Sequence, residues 1–139
     1  MNKLFFYISM ITLILTFGLI ILISYWTLYP YKIAEIKSVN LVQKQYKLGH
    51  PLRYELDFCI YTKTPVTITK QLVNDIIFNF PSSRVMIETG CRKEVITSLI
   101  IPKHLPEGIY YLKVHVIHQV NPLRSINIEW ETPKFEIIK

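Results

Sequence analysis

The stretch LRYELDFCIY, residues 52–61, decides the fold. Leu52, Tyr54, Leu56, Phe58 and Ile60 fall on one face of an extended chain; Arg53, Glu55, Asp57 and Cys59 fall on the other. Successive side chains of a strand point to opposite faces, so period two with one oily face means a strand lying on a core with its back to water.

The same pattern extends outward on both sides. Before it, Ile33–Val42 is short and β-tending, a first strand expected at an edge, and Gly49 closes a polar turn. After it, Thr62-Lys63-Thr64-Pro65 turns the chain, and Val66–Phe80 alternates again. There Val66, Ile68, Leu72, Ile76, Phe78 and Phe80 point inward, while Thr67, Thr69, Gln71, Asp75 and Asn79 point outward. Lys70 and Asn74 interrupt the inward set, which predicts two strands or one that bends. Val85–Ile87 reads as a brief edge strand and Glu94–Ile101 as another strand, closed by Pro102. Tyr110, Val114, Val116 and Val120 share a face. After the turn at Asn121-Pro122, Ser125–Trp130 and Lys134–Ile138 form the last strand, interrupted at Pro133. About seven short strands, turn residues roughly every ten positions and no soluble helical period predict an all-β sandwich.

Ahead of these strands stands Leu4–Ile23, LFFYISMITLILTFGLIILI, with no charge and no proline. Twenty helical residues rise about 30 Å, the hydrocarbon thickness of a bilayer. Lipid offers the backbone no hydrogen bonds, so a lone spanning segment has to be helical. Tyr25, Trp26, Tyr29 and Tyr31 follow as rings suited to the membrane–water boundary, and Pro30 ends the helix. The chain therefore divides into an anchor with its interfacial segment, 1–31, and a β-domain, 32–139. The apolar run exceeds the ~7–15 residues of a signal peptide and no small-x-small site follows it, so an uncleaved signal-anchor is expected. Flanking charge is nearly balanced between Lys3 and Lys32 with Lys37, and does not set orientation. A short leader before a long carboxyl-terminal domain favours placing that domain outside the cytoplasm. Thr12-x-x-x-Thr16 and Gly18 would let two helices approach closely, one route to a homo-oligomer.

A net charge of +6 invites phosphate as a partner, from anionic lipid or nucleic acid. The basic residues are dispersed, and the densest pair, Arg92-Lys93, runs straight into Glu94. Solvated charges on a β surface are the favoured reading, with no specific nucleic acid. Cys59 and Cys91 are the only thiols; they are either a disulfide between neighbouring strands or two unrelated cysteines. A strand puts His115 and His118 on opposite faces, which is wrong for chelation, so no metal is expected. No Gly-x-Ser-x-Gly, phosphate loop or His-Glu-x-x-His is present, so neither an enzyme nor a cofactor is expected. Tyr111 and Ile117, outward beside Lys113 and His115, are the candidate partner surface, because apolar side chains on a solvent face mark contact sites.

The run Pro106-x-Gly108-x-Tyr110-x-Leu112 resembles the tyrosine corner of immunoglobulin-like domains. The resemblance implies that Tyr110 hydrogen-bonds back across the corner and that Leu112 takes the core position antibody domains give to cysteine. It implies an immunoglobulin-like β-sandwich, although no tryptophan lies on the expected third strand. One anchor with one such module is also similar to small bacteriophage membrane proteins, which implies an envelope or virion setting. The expected function is a non-enzymatic single-pass membrane protein presenting its sandwich for binding or structure, with the bilayer and an unidentified protein as partners. The alternative is an accessory subunit that engages a larger membrane complex through its helix.

Overall fold

Residues 3–30 and 32–139 are described by a computed structural model; Tyr31, expected at the interface, lies outside the described residues. Lys3–Leu28 forms helix α1, long and apolar enough to cross a membrane, and none of its residues is buried. The hydroxyls of Thr12 and Thr16 donate to carbonyls one turn earlier (Ile8 O at 2.9 Å and Thr12 O at 3.0 Å), so both are satisfied within the helix.

Ten strands follow. They are β1 (Ala34–Leu41), β2 (Gln45–Lys47), β3 (Pro51–Ile60), β4 (Pro65–Val73) and β5 (Ile77–Asn79), then β6 (Ser83–Met86), β7 (Gly90–Ile100), β8 (Gly108–Asn121), β9 (Arg124–Glu131) and β10 (Phe135–Ile138). A three-stranded sheet runs β1-β3-β7. A seven-stranded sheet is built around β8, which takes β4 along one side and β10 then β9 along the other. Strand β4 in turn carries β5 and β6 on its far edge, and β2 pairs in parallel with β10.

The sheets bury their oily faces on each other, giving a sandwich-like all-β domain. Leu52, Tyr54, Leu56 and Phe58 of β3 meet Val66 and Leu72 of β4 and Tyr110, Leu112, Val114 and Val116 of β8 in one core. Alternation in β3 holds until Phe58-Cys59-Ile60, where three consecutive residues are buried.

Ten strands stand where about seven were expected because two long segments each form two strands and a polar stretch adds a third new one. Val66–Phe80 becomes β4 and β5, a hairpin that turns through Asn74, whose amide donates to Ile76 O at 3.1 Å. The last segment is two strands rather than one interrupted strand. Thr132, buried, marks the switch: its amide donates to Leu112 O at 2.9 Å and its hydroxyl accepts from Leu112 N at 3.0 Å. Both β9 and β10 thereby line the same side of β8. Gln45–Lys47, read as polar turn, adds β2 because Tyr46 buries its ring edge-on against Phe135, with centroids 5.3 Å apart.

Local chemistry fixes the turns. Gly49 has φ of 80°, in the left-handed region that side chains resist, and its amide donates to Ile101 O at 2.9 Å. The Tyr110 hydroxyl donates to Pro106 O at 2.9 Å while its ring lies in the core. At the other end of the domain, the β8–β9 turn abuts α1. The last four carbonyls of a helix lack intrahelical partners; here the Asn121 side-chain amide donates to Trp26 O at 2.6 Å, and just beyond the helix Arg124 donates to Pro30 O at 3.2 Å.

Tyr110→Phe keeps the ring and deletes the hydroxyl bond, leaving the Pro106 carbonyl without its donor. It should lower stability by about 1 kcal/mol. Urea titration of the full chain in detergent, followed by the β signal in circular dichroism, checks this; an unchanged midpoint would show that the bond contributes nothing.

Candidate functional site

Strand β8 presents its two faces to different worlds. Tyr110, Leu112, Val114, Val116 and His118 point inward and are buried. Tyr111, Lys113, His115 and Ile117 point outward, and the neighbouring strands extend each of them into a row across the sheet. Register gives Ile77–Val73–Tyr111, then Asn79–Gln71–Lys113–Glu131, then Thr69–His115–Glu129, and Arg84–Thr67–Ile117–Asn127. Cross-strand neighbours of this kind are the unit of sheet interaction.

The middle of this face is a ladder of charge. Lys113 Nζ lies 3.5 Å from Glu131 Oε1 and 3.8 Å from Glu129 Oε2, and His115 Nδ1 lies 3.1 Å from Glu129 Oε2. On the next strand Gln71 donates to Asn79 Oδ1 at 2.8 Å. Pairs this exposed contribute at most about 1 kcal/mol each. Their consequence is electrical: the two basic side chains read from sequence are answered by two carboxylates of β9, so the face is near neutral rather than a positive patch.

One end of the face is apolar, and the other carries the single apolar side chain Ile117 in a row with Arg84, Thr67 and Asn127. Tyr111 is flanked by Val73 and by Ile77, which is 56% exposed, and Ile76 beyond the turn is 61% exposed. Ile117 stands alone at the other end. Sequence reasoning missed Val73 and Ile77 as members of this surface. Ile76, expected inward, lies in the turn between β4 and β5 and projects to solvent, while Phe78 keeps the inward phase opposite Leu72 and is half-buried against the core.

On the outer face of the small sheet, Cys59 and Cys91 sit directly opposite in the β3–β7 register, with Cα atoms 4.0 Å apart, and form a disulfide. Cys59 was expected in solvent. It is buried, because Cys91 closes over it on one side and Glu35 of β1 stands opposite on the other. Nearby, Lys93 Nζ meets Glu55 Oε1 at 2.7 Å; that carboxylate holds the Lys93 pKa above its usual value.

The histidines separate as the strand period requires. His115 is on the outer face, and His118 is inside, with its Nδ1 3.1 Å from the Thr64 hydroxyl and its pKa lowered by burial. Among the described residues no three His, Cys, Asp or Glu side chains are placed to hold a metal ion. A groove of about 590 Å³ beside β2, lined by Tyr46, Lys47, His50 and Arg53, lies away from the outer face, and its Tyr46 hydroxyl is already donated to Arg53 O.

No family model matches this sequence, and no curated protein is similar to it. Solved structures are similar in shape. Spo0M, the sporulation control protein of Bacillus subtilis, aligns with a TM-score of 0.50 at 11% identity, covering 76% of this chain and 49% of Spo0M. The chain thus spans about half the length of that protein, and the likeness is one of fold. The CARDB domain of a Pyrococcus furiosus protein, solved in complex with di-metal ions, aligns with a TM-score of 0.46 at 10% identity, covering 77% of this chain and 90% of the domain.

The disulfide closes a loop spanning a sequence separation of 32 residues. By the chain-entropy relation that constraint adds about 4 kcal/mol to stability. Reduction with a phosphine should therefore move the urea midpoint down by that equivalent, and the double variant Cys59→Ser, Cys91→Ser should reproduce the shift. A midpoint insensitive to reductant would contradict the contribution assigned to the bond.

Proposed function

We propose that this chain is a non-enzymatic, membrane-tethered binding module. Helix α1 lies in the bilayer, and the outer face of the large sheet, with Tyr111, Val73, Ile77 and Ile117 as its apolar contacts, meets a protein partner. One observation carries the reading. An apolar helix with no cover from its own chain is tied at its end into the β8–β9 turn through Asn121 and Arg124. The domain would then stand at a fixed attitude to the membrane instead of swinging on a loose linker.

The finer fold assignment is an immunoglobulin-like sandwich, supported by the Tyr110–Pro106 hydrogen bond at the start of β8. The side of the membrane is proposed from redox chemistry. Disulfides persist in oxidising compartments, so the Cys59–Cys91 bond favours a domain outside the cytoplasm. A near-neutral face with one apolar end suits a protein partner better than an anionic polymer, since phosphate recognition calls for uncompensated Lys and Arg.

Photo-crosslinking tests this in the cells that make the protein. Benzoylphenylalanine is placed at position 111 or 117 on the sheet, and at position 13 in the helix. A discrete adduct from the sheet positions is the expected result. Adducts from position 13 alone would instead assign the partner to the helix, and their absence from the sheet positions would refute the surface proposed here.

A further inference from the structure

The β8–β9 turn is Pro122-Leu123, between Asn121 at the end of β8 and Arg124 at the start of β9. Hairpin turns of this length ordinarily carry Asn, Asp or Gly. This one carries two apolar residues, and Leu123 leaves 60% of its surface exposed. A single exposed leucine is ordinary on a protein surface. The position of this one is not, because one side chain ties it to the end of α1. Asn121 Nδ2 donates to Trp26 O at 2.6 Å, while Asn121 Oδ1 accepts from Leu123 N at 3.0 Å. Leu123 N is thus joined to the Trp26 carbonyl through one amide group, a path of about 8 Å. On the other flank Arg124 Nη1 donates to Pro30 O at 3.2 Å. The turn is held to the helix end from both sides.

The helix sets the height of that contact. With the uncharged run Leu4–Ile23 in hydrocarbon, Trp26 stands about 4–5 Å beyond the boundary, inside a headgroup layer ~5–8 Å deep. Leu28, 72% exposed, lies still farther along α1, so the apolar surface of the helix continues past the level of the Trp26 residue. A turn bonded to Trp26 O is brought to the same layer. There an exposed leucine beside a cation has the chemistry of a segment that lies in the interface, the apolar side chain towards the acyl boundary and the charge towards the headgroups.

We propose that the β8–β9 turn is a second membrane contact, with Leu123 seated in the phospholipid headgroup layer where the carboxyl end of α1 emerges. The proposal rests on α1 lying in the bilayer and goes beyond it, since it gives the β-domain a lipid-binding surface of its own. A helix alone leaves the domain free to tilt about the exit point. A seated turn beside the helix selects which edge of the domain faces the lipid, the one where β8 ends and β9 begins.

The test uses the full chain in phosphatidylcholine nanodiscs, with a nitroxide on a single added cysteine; the Cys59–Cys91 disulfide leaves no free native thiol to label. Labels are placed by Leu123→Cys, by Leu13→Cys in the middle of α1, and by Ile109→Cys. Ile109 is 62% exposed and lies near the start of β8, about 40 Å along the strand from the turn, so it controls for the label's own affinity for lipid. Power saturation compares collisions with oxygen, which concentrates in lipid, and with a water-soluble nickel chelate. The oxygen-to-nickel ratio at position 123 should lie at least threefold above that at 109 and below that at 13. Equal ratios at 123 and 109, with position 13 reading as lipid, would overturn the proposal and leave the helix assignment standing. A label at 13 that reads as water would overturn both.

Discussion

Apart from its last turn, where Asn121 reaches the Trp26 carbonyl, the twenty-six-residue helix α1 has nothing among the described residues to pack against, and that exposure constrains everything else about this protein. Leaving a Leu, Ile or Phe side chain in water instead of an apolar surrounding costs about 1.5–3 kcal/mol. Over this helix the penalty reaches the order of tens of kcal/mol, well beyond the ~5–15 kcal/mol by which a domain is stable. No arrangement of the β-domain offsets that; a cover from outside must. Lipid is the proposed cover, and the helix ends where its cover would end. Tyr25 and Tyr29 stack with ring centroids 5.2 Å apart, and Pro30 follows.

The β-domain meets α1 at one end. The Trp26 carbonyl in the last turn of α1 and the Pro30 carbonyl just beyond it are taken by Asn121 and Arg124 at the β8–β9 turn. Strand β8 therefore couples three regions. Its start is held by the Tyr110 hydroxyl, its middle forms both the core and the candidate partner face, and its end sits against the helix. The disulfide joins β3 and β7 of the other sheet.

Much of this was legible from residue types alone. The oily alternation of residues 52–60 identified β3 and its inner face, the uncharged run at 4–23 identified α1, and the prolines and glycines marked most turns. The four residues proposed as a partner surface do share the outer face of β8. What was not legible depends on register between distant strands. Val73 and Ile77 join Tyr111 only because β4 and β5 pair where they do, and the carboxylates that neutralise Lys113 and His115 arrive from β9. Lys70 looked like a break in a strand pattern. It is an inward side chain whose reach to Ser98 O could not be known before the two sheets were placed face to face.

The central claim is that lipid covers α1, and alkaline extraction measures it most directly. Membranes from cells making the full chain are washed with carbonate at about pH 11 and floated through a density gradient. The account predicts that the protein stays with the lipid fraction. Quantitative release into the aqueous phase, with the β-domain still folded, would contradict it.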